Sequence, residues 1–268
     1  MAYYLLTISY DGSNFRGWQK QPSLRTVQGE IEAALSAIFN ERIDIHGVSR
    51  TDAGVHAYAQ MVGFNTEKSI PPERLMLALN NLLCNSRSRS GRYGDIRIKA
   101  VRSGPELQNG FHARHNAVGK TYIYRFMTSA EPDIFLRNHY WQISFIPDII
   151  KMREAAACLI GTHDFKAFQS AGGSEQEFTV KTVYSLSITQ ENRPPVLTTI
   201  TITGSGFLYN MVRIITGTLA EIGEGKKTPE TMKLVLESKD RTLAGSTAPA
   251  QGLYLAQVYY DNAELRTT

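Results

Sequence analysis

The sequence predicts an α+β protein built from two successive split βαβ halves, each an antiparallel sheet with its helices segregated to one face. Three observations carry that expectation. Runs with strand and helix periodicity follow one another as strand, helix, strand, strand, helix, strand; a second stretch resembles the first in element order; and two long alternating runs late in the chain flank the turn-like Asn192-Arg193-Pro194-Pro195. The repetition lies in element order, not residue identity. It sets expected halves at residues 1–105 and 106–268.

Taken in order, residues 3–11 read as a strand, and Thr26 is placed to cap a helix whose Val27, Ile31, Leu35 and Ile38 recur on one face. Strand-like runs at 43–48 and 58–64 flank a polar loop. Ser69, Pro71 and Pro72 open a helix carrying Leu75, Leu79 and Leu82, and residues 95–101 alternate as a strand. In the second half, 120–127 and 141–145 read as strands, and a helix from about Pro147 carries Met152, Ala156 and Leu159 and closes at Gly161. The long strands 179–189 and 196–204 come next. A strongly amphipathic helix follows on Leu208, Val212, Ile215, Leu219 and Ile222, then a short helix near 229–237 and a closing strand at 253–260.

With 268 residues, 42% of them hydrophobic and 20% charged, the composition is that of a folded globular protein and excludes general disorder. No run approaches the ~18 apolar residues of a membrane span, and the N-terminus has neither a basic region nor a cleavage site, which points to the cytoplasm. Cys84 and Cys158 sit in unlike contexts, so buried, inert thiols are expected rather than a disulfide or a zinc cluster. The net charge of +4 does not by itself imply nucleic acid. Its distribution is more informative: Arg87, Arg89, Arg92, Arg97, Lys99 and Arg102 face only Asp95 between residues 85 and 102. That stretch either holds phosphates or is a solvated Ser/Arg/Gly loop.

The densest chemistry lies in Ser49-Arg50-Thr51-Asp52-Ala53-Gly54-Val55-His56-Ala57, which puts a carboxylate, a guanidinium, two hydroxyls and a glycine in one short loop. Taken alone, the run reads first as a polar turn, with Gly54 letting the backbone bend. His112 and His115 stand three apart and His56 follows Asp52 by four; with no third ligand set evident, local hydrogen bonding is expected and no metal.

The loop has company. Tyr10-Asp11-Gly12-Ser13, Gly17-Trp18-Gln19, Arg25-Thr26-Val27-Gln28, Phe111-His112-Ala113-Arg114, Lys120-Thr121-Tyr122-Ile123-Tyr124, Gly161-Thr162-His163-Asp164-Phe165, Met211-Val212-Arg213, Lys239-Asp240-Arg241 and Ala248-Pro249-Ala250-Gln251-Gly252-Leu253-Tyr254 stand in order nearly end to end. Together with Ser49–Ala57 they make the chain resemble the family of tRNA pseudouridine synthase A. The resemblance implies two ferredoxin-like (RRM-like) halves forming a continuous antiparallel sheet with a central cleft. It implies cofactor-independent isomerisation of uridine to pseudouridine at positions 38, 39 and 40 of the tRNA anticodon stem-loop, by a homodimer.

By the same resemblance Asp52 is the catalytic carboxylate, with Arg213 beside it holding it ionised and oriented. Tyr122 and Leu253 take the two sides of the uracil, although periodicity alone makes Tyr122, Tyr124 and Phe126 a core face and Leu253 an ordinary core leucine. Arg50 fills the space the flipped base leaves, or clamps a phosphate. Arg25, Lys120, Arg87, Arg89 and Arg92 are candidate contacts to the RNA backbone. The chain departs from the family pattern twice. Ser49 stands where glycine is usual, which would strain the backbone if that site needs positive φ. An Arg/Ser-rich insertion at 83–93 replaces a short turn and is expected to extend the tRNA-binding rim. Two alternatives are a synthase with another RNA target and an idle RNA-binding or chaperone protein.

Overall fold

The structure is a computed structural model and describes residues 2–85, 94–107, 110–171, 178–191 and 193–265. Arg87, Arg89 and Arg92, with most of the expected basic rim, lie outside the described residues. The chain divides into two compact units, one of residues 1–118 with 255–260 and one of 119–254 with 261–268. Both mix helices with strands that pair mostly antiparallel.

In the first unit, β1 (Ala2–Tyr10) lies between β4 (Ile96–Arg102) and β3 (His56–Thr66), antiparallel to both. The later part of β10 (Leu253–Tyr259) lies beside β3. A strand so placed is covered on both faces, and Tyr3, Tyr4, Leu5 and Leu6 are all buried in succession. Tyr4 stacks on Phe64 with centroids 5.3 Å apart and packs near Phe39, while the hydroxyl of Tyr3, on the opposite face, accepts the Ala113 N–H at 3.0 Å. Helix α1 (Val27–Phe39) starts where expected: the Thr26 hydroxyl accepts the Gly29 N–H at 3.3 Å.

Two expectations here need correction. The run 43–48 pairs only over β2 (His46–Gly47), because Ile43, Ile45 and Val48 bury their side chains without a full ladder. In α2 (Pro72–Asn85), Leu75 and Leu79 are fully buried but Leu82 is 39% exposed, and Leu83 turns inward in its place.

In the second unit, β5 (Gly119–Thr128), β9 (Val196–Gly204), β8 (Val180–Glu191) and β7 (Gly161–Asp164) are successive antiparallel neighbours, and β6 (Trp141–Ile143) runs parallel to β5. The expected pairing of the two long runs is present as β8 against β9. Helix α3 (Ile149–Ala157) is capped by Asp148 and ends before Gly161, which instead opens β7 at φ 111°. Helices α4 (Met211–Gly223) and α5 (Glu230–Ser238) lie close to the expected positions, and α6 (Asn262–Leu265) is short.

Helix α4 departs from the amphipathic reading. Its apolar stripe is buried, and so are Thr216, Gly217 and Thr218 between the stripe positions. The reason is a close crossing: a Cβ on Gly217 would fall 1.8 Å from the Ser246 carbonyl oxygen. Gly→Ala inside a helix ordinarily stabilises by about 1 kcal/mol. Here Gly217→Ala should destabilise by about 1–3 kcal/mol through overpacking, read as a lower urea midpoint; a raised midpoint would contradict the crossing.

Candidate active site

The polar loop hangs between β2 and β3 with few ladder bonds of its own, so other groups must satisfy its main chain. Gln60, fully buried on β3, does this at one end: its amide donates to the Ser49 carbonyl at 2.6 Å and accepts the Ser49 N–H at 3.2 Å. Thr51 is held twice. Its hydroxyl shares a buried 2.7 Å hydrogen bond with the Tyr10 hydroxyl, and its carbonyl accepts the Trp18 N–H at 2.9 Å.

The burial pattern that follows is an alternation. Ser49 and Thr51 are buried, Arg50 is exposed and Asp52 is partly exposed, so Arg50 and Asp52 share the outward face. After Asp52 the chain turns: the Val55 N–H donates to the Asp52 carbonyl at 3.1 Å, and Gly54 takes φ 81°. Two other glycines let neighbouring loops press on this one. A Cβ on Gly12 would meet the Val55 carbonyl oxygen at 2.0 Å, and one on Gly17, at φ 88°, would lie 2.9 Å from the Thr51 carbonyl oxygen.

Ser49 is not among the residues with positive φ, so the strain expected there is absent. Its departure from the family pattern shows elsewhere: the hydroxyl is buried without a hydrogen-bond partner among the described residues. Removing an unsatisfied buried hydroxyl relieves a desolvation cost. Ser49→Ala should leave stability unchanged or raise it by about 1 kcal/mol in urea unfolding, and a loss above that size would reveal a hidden partner.

Behind the loop, His56 Nδ1 lies 3.0 Å from the Gly12 nitrogen and 3.2 Å from Asp11 Oδ1. Nδ1 accepts the Gly12 N–H when it bears no proton and donates to Asp11 when it bears one. Burial raises the Asp11 pKa, but hydrogen bonds from His56 and from the Ser13 hydroxyl and N–H outweigh it, leaving the carboxyl well below the usual carboxylate range. A carboxylate with a depressed folded pKa stabilises above its unfolded value of about 3.9, and that contribution disappears as pH falls through the folded pKa. Asp11→Asn should therefore cost at most about 1 kcal/mol at pH 7, given 40% side-chain exposure, with the gap to wild type closing below about pH 4. A gap that widens in acid would refute the assignment.

The second unit holds its own cluster around residues 248–253. The Arg213 Nε–H donates to the Ala248 carbonyl and a terminal N–H donates to Asn210 Oδ1, both at 2.8 Å. The Ala248 N–H returns a bond to the Arg213 carbonyl at 3.1 Å. Asn210 adopts φ 60°, a left-handed conformation that asparagine tolerates, at the N-terminus of α4. The Tyr124 hydroxyl donates to the Pro249 carbonyl at 2.7 Å; burial pushes its pKa well up, and the nearby Arg213 charge opposes this. Tyr122, two residues along β5, is 9% exposed and meets Phe207 edge-on at 5.2 Å. Tyr124 and Phe126 form the core side of that face against Trp141, and Leu253 is 6% exposed at the start of β10.

Of the candidate phosphate contacts, Lys120 lies near the start of β5 opposite Gly204 and is partly exposed. The Arg25 guanidinium pairs with Asp95 at 2.6 Å and Glu30 at 3.3 Å and sits over the Phe15 ring. His112 and His115 are joined by His46, with ring centroids 4.4 and 5.2 Å from that of His112. The His112 Nδ1 accepts the Arg114 and His115 N–H groups, the local hydrogen bonding expected of it. Sequence reasoning missed Gln60, Tyr10, Asn210 and Tyr124. The one signal available for Gln60 was a glutamine inside an otherwise apolar strand.

Comparison with known proteins gives this geometry a context. The family model described as tRNA pseudouridine synthase matches residues 6–92 and 155–261. The proteins named tRNA pseudouridine synthase A from Bacillus subtilis and Acetivibrio thermocellus are 47% and 43% identical over 96% and 95% of this chain, and each match covers 98% of the relative. One of the same name from Bacillus velezensis is 45% identical over 96% of the chain and 98% of its own length. With both the loop of Asp52 and the helix of Arg213 inside the matched segments, the chain belongs to the tRNA pseudouridine synthase family.

Proposed function

We propose that this protein isomerises uridine to pseudouridine in tRNA, with Asp52 as the reacting carboxylate. The observation that carries the reading is the shared outward face of Arg50 and Asp52 on a main chain fastened from behind. The reaction breaks the bond from uracil N1 to ribose C1′, turns the base, and forms a bond from C5 to C1′. The C5 proton leaves and N1 gains one, so no redox cofactor is required. An ionised carboxylate supplies either a nucleophile or a stabiliser of positive charge at C1′.

A stacked uridine cannot reach such a group and must be turned out of its helix at a cost of a few kcal/mol. Arg50, exposed on the same face, suits the vacated space. The role of Arg213 beside the carboxylate rests on the family resemblance. So do Tyr122 and Leu253 as the two sides of the base, the target at positions 38 to 40 of the anticodon arm, and the 83–93 insertion as an RNA-binding rim. The same holds for Lys120 as a contact to the RNA backbone.

A homodimer fits the second unit, where Ile146, Ile150, Phe178 and Val180 are each more than half exposed, apolar surface that a second copy would cover. The free thiol of Cys158, with no helix among the described residues long and apolar enough to cross a membrane, suits the cytoplasm, where tRNA is found.

The chemistry is tested by tritium release from tRNA labelled at uracil C5. Wild type should release label and Asp52→Asn should not, although it still binds tRNA; equal release by both proteins would refute Asp52 as the reacting group.

A further inference from the structure

We infer that Gln60 and Tyr10 are positioning residues for the reaction, acting through the main chain of residues 49–51 to aim Arg50 and Asp52 together. The inference rests on the reading of Asp52 given above. Both anchors are buried: Gln60 is 0% and Tyr10 is 5% exposed, on β3 and β1, the paired central strands of the first unit. Gln60 uses the acceptor and the donor of one amide on the N–H and C=O of a single residue, Ser49. That is the pattern of a ladder pair, supplied by a side chain where the strand itself does not pair.

Tyr10 fixes the second buried position through the Thr51 hydroxyl. Ser49 and Thr51 flank Arg50, and Thr51 directly precedes Asp52. Two fixed points on one face of an extended segment set the direction of the side chains on the other. Loss of either anchor leaves the binding surface in place but lets the carboxylate wander, and misplacement on the order of 1 Å costs about 100-fold in rate.

The test uses the full-length protein with unmodified tRNA, comparing single-turnover rates at saturating enzyme with tRNA affinity. Gln60→Met keeps length and volume but removes both hydrogen bonds. It should slow the turnover roughly 100-fold while tRNA affinity stays within about twofold. Tyr10→Phe and Thr51→Val should each slow it about tenfold, and the double variant should be no slower than either alone, since they share one bond.

Leu79→Ala, in the core under α2, is the control for stability loss and should retain the wild-type rate below its unfolding transition. Wild-type turnover by Gln60→Met while Asp52→Asn is inactive would overturn this inference alone. Equal slowing by Leu79→Ala would also overturn it, by making the effect one of stability. Turnover by Asp52→Asn would overturn the reading on which it rests.

Discussion

The first unit depends on one constraint: a short segment with almost no sheet of its own must have its main-chain polar groups met from outside. The chain from Ser49 to Asp52 is too irregular to pair as a strand, yet Ser49 and Thr51 are buried. An unmet N–H or C=O in such a place costs on the order of 1–3 kcal/mol. Gln60 on β3 and Trp18 on the loop after β1 remove that cost at Ser49 and Thr51, and Tyr10 on β1 meets the Thr51 hydroxyl. The glycines at 12 and 17 exist in this frame as absences of side chain, allowing neighbouring backbones to approach the loop within contact distance.

The second unit solves a related problem differently. Arg213 stands on a helix that is buried almost all round. Two of its guanidinium N–H groups donate to neutral acceptors, a carbonyl and an amide oxygen. Arg25 in the first unit pairs instead with two carboxylates, Asp95 and Glu30.

Much of the fold was legible because periodicity reports burial on one face. The Thr26 cap, the long β8 and β9 strands and the position of α4 follow directly from local pattern. Errors fell where the packing of neighbouring elements, not local pattern, set which residues are covered. Leu82 turned outward, α4 was buried beyond its stripe, and residues 43–45 packed their side chains without forming a strand. Strain at Ser49 hinged on a positive φ, which residue type alone does not reveal, and the backbone there does not take one.

The sequence by itself determined the family, the α+β class and the loop that bears Asp52, because these depend on residue identity and order along the chain. Which groups hold that loop was decided only by the tertiary structure. Gln60 lies on the strand after Asp52 and Tyr10 more than one helix before it, and neither belongs to a motif that names its partner. The last strand shows the same limit: Leu255 to Tyr260 joins the first unit although it follows the second in sequence. Local pattern encodes which face of an element is apolar, whereas hydrogen bonds between distant segments depend on register and approach that exist only once the sheet has formed.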